Sequence, residues 1–413
     1  MSPHFETYKN GLRVVYVPCE AESIAFGLFI SSGSRHEDAK TAGISHFIEH
    51  MLFKGTPTRK PLDITTAIEG RGGNFNACTS EEATVYYAHM PDNYLADAVE
   101  ILSDMYLHAA FPEEEFKRER DVVLEEIKMY DDDPSSVVME NLQRALFPKN
   151  QLGLPVSGSA TVLQRMTPSD LRCYMRTHYL PTNTIAVVAG HFDEEAAKQI
   201  VFRSLGRPRA AKVFFSKAQS INFSSPTEKE VSVTRDVNQT QLAVGYRTFG
   251  VHDNRKYAAT VLDAILGRGM SSRLFQEVRE KRGLSYDISS RMQFFSDAGM
   301  FTISAGLDPS KKKEVLEIIN REIKRIQTTK LTAIELKRAK EFLIGNFRLG
   351  QEKVVSKLFC YGTSMLTFDK LVLPQEQIDG INKVTIGDIQ KVAKAIFTEK
   401  NRSISWVNPK NAS

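Results

Sequence analysis

No run of 18 apolar residues occurs anywhere in the 413-residue chain, so the sequence offers no membrane-spanning helix. The start, Met1-Ser2-Pro3-His4-Phe5-Glu6, lacks a basic region followed by an apolar core. No secretory signal is expected. That favours a bacterial-type cytoplasm, with a mature organelle protein as the other setting. Cysteine is scarce: Cys19, Cys78, Cys173 and Cys360 are widely separated and form no CxxC pair. They make no disulfide framework and fit reduced thiols. Charge of one sign is also lacking. The formal net charge of +4 is too weak to argue for nucleic acid. Neither a P-loop nor a dinucleotide-binding fingerprint is present, so nothing points to phosphate chemistry.

What is there is an ordinary globular composition, 42% hydrophobic and 25% charged. The length exceeds what one core supports and implies two domains. Alternating runs predict strands at Leu12–Val17, Ile24–Ile30, Asn74–Cys78, Thr84–His89 and Thr184–Ala189. Helices are predicted over Ala42–Phe53 and Leu62–Glu69, and through most of Asn93–Met129. Pro112, followed by Glu113, Glu114 and Glu115, is a good start for the last of these.

Residues 206–228 have little periodicity and read as a linker between domains 1–205 and 229–413. The second half repeats the first in outline. Phe111-Pro112-Glu113-Glu114-Glu115-Phe116-Lys117-Arg118 echoes Leu331-Thr332-Ala333-Ile334-Glu335-Leu336-Lys337-Arg338. The fold class expected is α+β, with two related units of about 200 residues each.

The sharpest local pattern is His46-Phe47-Ile48-Glu49-His50. Histidines four residues apart on a helix share one face, one turn apart, and can hold a divalent metal. Glu49 stands beside them, within reach of a water at that metal, and can take its proton. A solvated helix face is the bland alternative. The flanking Ile44, Phe47, Ile48, Met51, Leu52 and Phe53 argue against it, because they make the helix apolar over most of its circumference. Histidines enclosed in this way need partners.

A catalytic zinc takes three protein ligands and keeps one position open. The third must come from elsewhere in the chain. The helix after Pro112 carries Glu113, Glu114, Glu115, Glu119, Glu125 and Glu126, and residue physics alone does not choose among them. Glu119 and Glu126 are seven apart, share a face with Val122 and Val123 nearby, and are the better candidates.

Residues Gly43 to Thr56 resemble throughout the zinc helix of the pitrilysin-like metallopeptidases, the inverzincins. The resemblance is strongest to the branch of mitochondrial processing peptidase and its bacterial relatives. It implies that Glu126 is the third zinc ligand and that Glu119 orients the site from behind a histidine. Gly72-Gly73-x-Phe75-Asn76-Ala77-x-Thr79 resembles that family's active-site edge strand, on which substrate lies as an added strand. Asn76 and Ala77 would there meet the substrate backbone. Gly269 to Tyr286 resembles the family's carboxy-terminal signature, implying that Arg279 and Tyr286 contact substrate near the scissile bond. Without the resemblance neither would rank as functional.

Thr260 to Leu266, where the zinc helix would recur, holds no histidine, so one Zn2+ per chain is expected. By resemblance, a chain of this length forms half of a clamshell chamber that admits peptides and excludes folded proteins. The zinc motif and the Arg/Tyr pair sit in one chain here, which implies a homodimer with shared sites. The expected activity is a zinc endopeptidase. The competing reading is a non-catalytic subunit of a processing or respiratory assembly, whose relatives lose part of the motif that this chain keeps.

Overall fold

Val14 and Tyr16 enter one hydrophobic core while their neighbours Val15 and Val17 enter another. Successive side chains of a strand point to opposite faces, so the sheet that holds these residues is covered on both. The computed structural model describes residues 2–207, 220–223, 228–328 and 331–410. It divides into two compact units.

In the first unit the strands are β1 (His4–Thr7), β2 (Arg13–Pro18), β3 (Ser23–Ile30), β4 (Asn74–Thr79), β5 (Thr84–Pro91) and β6 (Thr184–Gly190). They lie in the order β1-β2-β6-β3-β5-β4, with β2 and β6 parallel and the other neighbours antiparallel. In the second unit they are β7 (Glu230–Arg235), β8 (Thr240–Phe249), β9 (Ser285–Phe294), β10 (Ala298–Leu307) and β11 (Arg402–Pro409). Their order is β7-β11-β8-β10-β9, again with one parallel pair, β7 and β11. Without β1 the two orders are the same, down to the position of the parallel pair. The α+β class and the internal repeat are therefore features of the fold.

The boundaries differ from the contiguous halves 1–205 and 229–413. The first unit includes Arg348–Val372 and the second includes Lys128–Leu154. The reason is the second face of each sheet. Helix Val354–Phe368 covers the first sheet, where Val354, Leu358, Tyr361 and Met365 pack on Val15, Val17, Phe29 and Val187. Helix Pro134–Leu146 covers the second, where Val137, Val138, Leu142 and Leu146 pack with Ala243, Met300 and Val407. Each half of the chain thus lends the other a helix. Neither assignment is among the expectations drawn from the sequence. Most of the expected linker, 208–219 and 224–227, lies outside the described residues.

The lent helices come close. A Cβ added to Gly362 would lie 2.4–2.7 Å from the Phe29 ring, and one added to Gly245 would lie 2.8–2.9 Å from Leu142 and Leu146. The echo between the segments at 111 and 331 leads to the same point. Each begins a long helix, Glu113–Asp132 or Ala333–Gly350, and the next helix along the chain is the lent one. Among the described residues no helix is long and apolar enough to cross a membrane.

A fragment ending at residue 205 keeps the first sheet but loses the helix over Val15, Val17, Phe29 and Val187. It is expected to bind a hydrophobic dye and to unfold in urea without a cooperative transition. A dye-silent fragment that unfolds cooperatively would contradict the reciprocal covering.

Candidate metal centre

The histidine helix runs from Ile44 to Leu52 and is preceded by Gly43 at φ 94°. An added Cβ there would meet the Ser157 carbonyl oxygen at 2.6 Å, so glycine is required on both counts. Glycine has no side chain to cap the helix. The buried Glu37 does so instead, its two oxygens accepting from the Gly43 N–H at 2.6 Å and the Ser45 N–H at 2.8 Å. These amides belong to the first turn, where partners are otherwise lacking and the dipole favours negative charge. Burial pushes the Glu37 carboxyl up to about 7, against the pull of those two N–H bonds. The Ser45 hydroxyl bonds the Tyr174 hydroxyl at 3.1 Å, which also bonds Ser32 at 3.0 Å.

Ile44, Phe47, Ile48, Met51 and Leu52 of this helix are buried. His46, Glu49 and His50 are half-buried, and the histidine side chains keep 12% and 20% of their surface. That leaves an approach to the imidazoles. The acidic helix Glu113–Asp132 brings Glu126 to them, its Oε2 lying 3.3 Å from His50 Nε2 and 3.6 Å from His46 Nε2. Donor atoms of all three residues lie within 4.8 Å of one another. Donors about 2.0–2.1 Å from a tetrahedral zinc stand roughly 3.3–3.4 Å apart. The spacing and the two-nitrogen, one-oxygen set therefore fit zinc.

Glu119, seven residues before Glu126, reaches the other side of His50. Its Oε1 lies 2.8 Å from His50 Nδ1 and its Oε2 lies 2.6 Å from Lys54 Nζ. A carboxylate behind a ligand histidine fixes which ring nitrogen faces the metal. His46 has no such support, since among the described residues its buried Nδ1 has no hydrogen-bond partner. The two imidazoles are pushed in opposite directions. Burial, helped by the charge of His50, lowers His46 to about 4. Burial also lowers His50, but Glu119, Glu126 and Glu49 outweigh it and raise that group. Glu119 is held below the usual carboxylate range because His50 and Lys54 outweigh its burial. Glu49 is raised by burial, in part offset by a bond from the Thr79 hydroxyl to its Oε2 at 2.5 Å.

Asn76 and Ala77 lie on β4, the edge of the sheet, which packs on the histidine helix. The Asn76 carboxamide oxygen accepts from the Ala77 N–H at 2.8 Å. Arg279 and Tyr286 belong to the second unit. There the Arg279 guanidinium lies over the Tyr286 ring at 4.7 Å, and Tyr286 is 79% exposed.

The second unit has its own version of the helix between β3 and β4. Lys256–Leu266 lies between β8 and β9, and its Asp263 accepts from the Ser290 hydroxyl on β9 at 2.6 Å. This repeats the bond from Thr79 on β4 to Glu49. Setting Asp263 against Glu49 puts Thr260 and Ala264 where His46 and His50 stand. Among the described residues no second group of three metal donors occurs.

Glu37, Lys54 and Thr79 were not singled out from sequence. Lys54 and Thr79 lie inside the motifs quoted above but carry no signal of their own. Glu37 precedes the amides it caps by six to eight residues, and only the fold joins them.

Removal of the Glu37 side chain leaves two buried amides without an acceptor. Glu37→Ala is expected to lower stability by about 2–4 kcal/mol in urea denaturation. A loss under about 0.5 kcal/mol, the size of an ordinary surface substitution, would contradict the capping role.

Comparison with known proteins agrees with this architecture. Residues 13–160 match a family profile described as "Insulinase (Peptidase family M16)", and residues 165–343 match "Peptidase M16 inactive domain". An uncharacterized zinc protease of Bacillus subtilis is 34% identical over 406 residues, spanning 98% of this chain and 97% of that protein. An uncharacterized zinc protease of Mycobacterium tuberculosis is 34% identical over 409 residues, spanning 97% and 92%. In fold, the chain is similar to a protease from Helicobacter pylori, with a TM-score of 0.94, 22% identity and 99% of both chains covered. A Pseudomonas fluorescens structure described as a peptidase M16 inactive domain gives a TM-score of 0.90, with 18% identity and 99% of both chains covered. By sequence over nearly its whole length, the chain belongs to peptidase family M16.

Proposed function

We propose that the chain is a zinc-dependent endopeptidase that cleaves short or unfolded peptides. The observation that carries this reading is the convergence of His46 Nε2, His50 Nε2 and Glu126 Oε2, with Glu49 next to His50 in the chain and within electrostatic reach of His50 and Glu126. A zinc ion held by His46, His50 and Glu126 would supply Lewis-acid polarisation of the scissile carbonyl and of the attacking water. Glu49 takes the proton from that water and passes it to the departing amine nitrogen. Glu119 keeps the His50 ring in place through Nδ1. The peptide adds to the free edge of β4, where backbone pairing gives affinity with little side-chain preference. Asn76 and Ala77 are the contacts on that strand.

Arg279 and Tyr286 complete the site from a second copy of the chain in a homodimer with two sites, with Tyr286 donating to the developing oxyanion. One zinc per chain follows, because the helix with Thr260 and Ala264 offers no imidazole. The competing reading, a non-catalytic partner subunit, sits poorly with a donor set that is complete.

Glu49→Gln is expected to keep its zinc and to lose at least about 100-fold in kcat on a quenched fluorescent peptide. Equal rates for variant and parent would sink the mechanism. Sharing of sites is tested by mixing His46→Ala and Arg279→Ala chains. One intact site in half of the dimers restores about a quarter of the parental activity. No recovery above the separate variants would contradict the shared arrangement.

A further inference from the structure

Lys54 follows the histidine helix, two residues past its end at Leu52. Its Nζ lies 2.6 Å from Glu119 Oε2, while Glu119 Oε1 lies 2.8 Å from His50 Nδ1. One carboxylate is thus divided between a lysine and a histidine, one oxygen to each. Glu119 is only 7% exposed, so an oxygen that lost its partner there would be poorly served by water. Three carboxylates, Glu49, Glu119 and Glu126, crowd the imidazoles. Among the described residues Lys54 is the lysine or arginine that pairs with any of them.

Two effects of this lysine oppose each other. As a cation near a cation site it repels the metal, and its removal would then tighten zinc binding. As the second anchor of Glu119 it fixes the plane of that carboxylate. An ionised carboxylate can only accept, so His50 must present Nδ1–H to Glu119 and keep its lone pair on Nε2. That nitrogen is the one 3.3 Å from Glu126 Oε2. A Glu119 freed from Lys54 can rotate, and the His50 ring then loses its fixed orientation and tautomer. The contact at 2.6 Å in a nearly buried setting favours the second effect, because the anchoring is direct and the repulsion acts across Glu119.

We propose that Lys54 is a positioning residue for the metal, holding Glu119 so that His50 Nε2 faces the ion. The inference rests on the zinc reading above. The ion pair of Lys54 is with Glu119, and the lysine acts through that carboxylate.

The test is the zinc dissociation constant of the full chain, read by chelator competition, for the parent, Lys54→Met, Lys54→Gln, Lys54→Arg, Glu119→Gln, the Lys54→Met/Glu119→Gln double variant and His46→Ala. Lys54→Met and Lys54→Gln are expected to weaken zinc about 10-fold or more, the usual scale for losing support behind a ligand. Lys54→Arg restores most of the affinity. The double variant binds no more weakly than Glu119→Gln alone, because the lysine has nothing left to hold. In the zinc-free chain, at a pH high enough for the His50 ring to be neutral, ring 15N shifts report the proton on Nδ1 in the parent and a mixture of tautomers in Lys54→Met. Should Lys54→Met not fold, Lys54→Gln and Lys54→Arg decide the question. Zinc binding that is unchanged or tighter without the lysine, or losses that multiply in the double variant, would overturn the proposal while the zinc reading stands. A parent that binds zinc no better than His46→Ala would overturn both.

Discussion

Two imidazoles one helical turn apart cannot enclose a metal by themselves, so the proposed zinc site depends on how the first unit brings a third donor to them. Both imidazoles come from one side of a nine-residue helix, and the proposed third donor, Glu126, reaches them from another element. A helix this short has marginal stability of its own. It is held at its start by Glu37, along its flank by buried Phe47, Ile48 and Met51, and beside its last turn by Glu119 through His50. The acidic helix Glu113–Asp132 serves twice, since Glu119 and Glu126 lie on one face and engage opposite nitrogens of the same ring.

The second unit shows what the scaffold keeps when the two histidines are absent. It retains the strand order, the parallel pair and the helix that packs beside the edge strand. It also retains a carboxylate on that helix bonded to a hydroxyl on the edge strand: Asp263 to Ser290, as Glu49 to Thr79. The bond therefore joins helix to strand whether or not imidazoles are present. In the first unit the same latch acquires a second consequence, because it leaves Glu49 beside the two histidines. Two positions, Thr260 for His46 and Ala264 for His50, separate the units in this respect.

Much of this was legible before folding. The His46–His50 spacing is a local signal, because i and i+4 on a helix share a face whatever surrounds them. The strand Asn74–Cys78 and the chain echo were likewise readable from local pattern and from paired helix starts, whereas the place of that strand at the sheet edge was implied only by the family resemblance. Glu126 was different: residue physics favoured it and Glu119 among six acids without choosing between them, since which helix face meets the histidines is set by packing. The domain limits failed for a related reason. Periodicity tells that Val354–Phe368 and Pro134–Leu146 have an apolar face, and says nothing about which sheet that face will cover. Lys54 was invisible as a partner of Glu119, as any lysine beside a helix end reads as solvated.

The central claim is that His46, His50 and Glu126 together hold one zinc. X-ray absorption at the zinc K-edge of the purified, metal-loaded chain tests it most directly, because it counts the donors around the ion. The account requires one zinc per chain with two imidazoles and oxygen donors at about 2.0–2.2 Å. A shell with one imidazole, three imidazoles or any sulfur would contradict it.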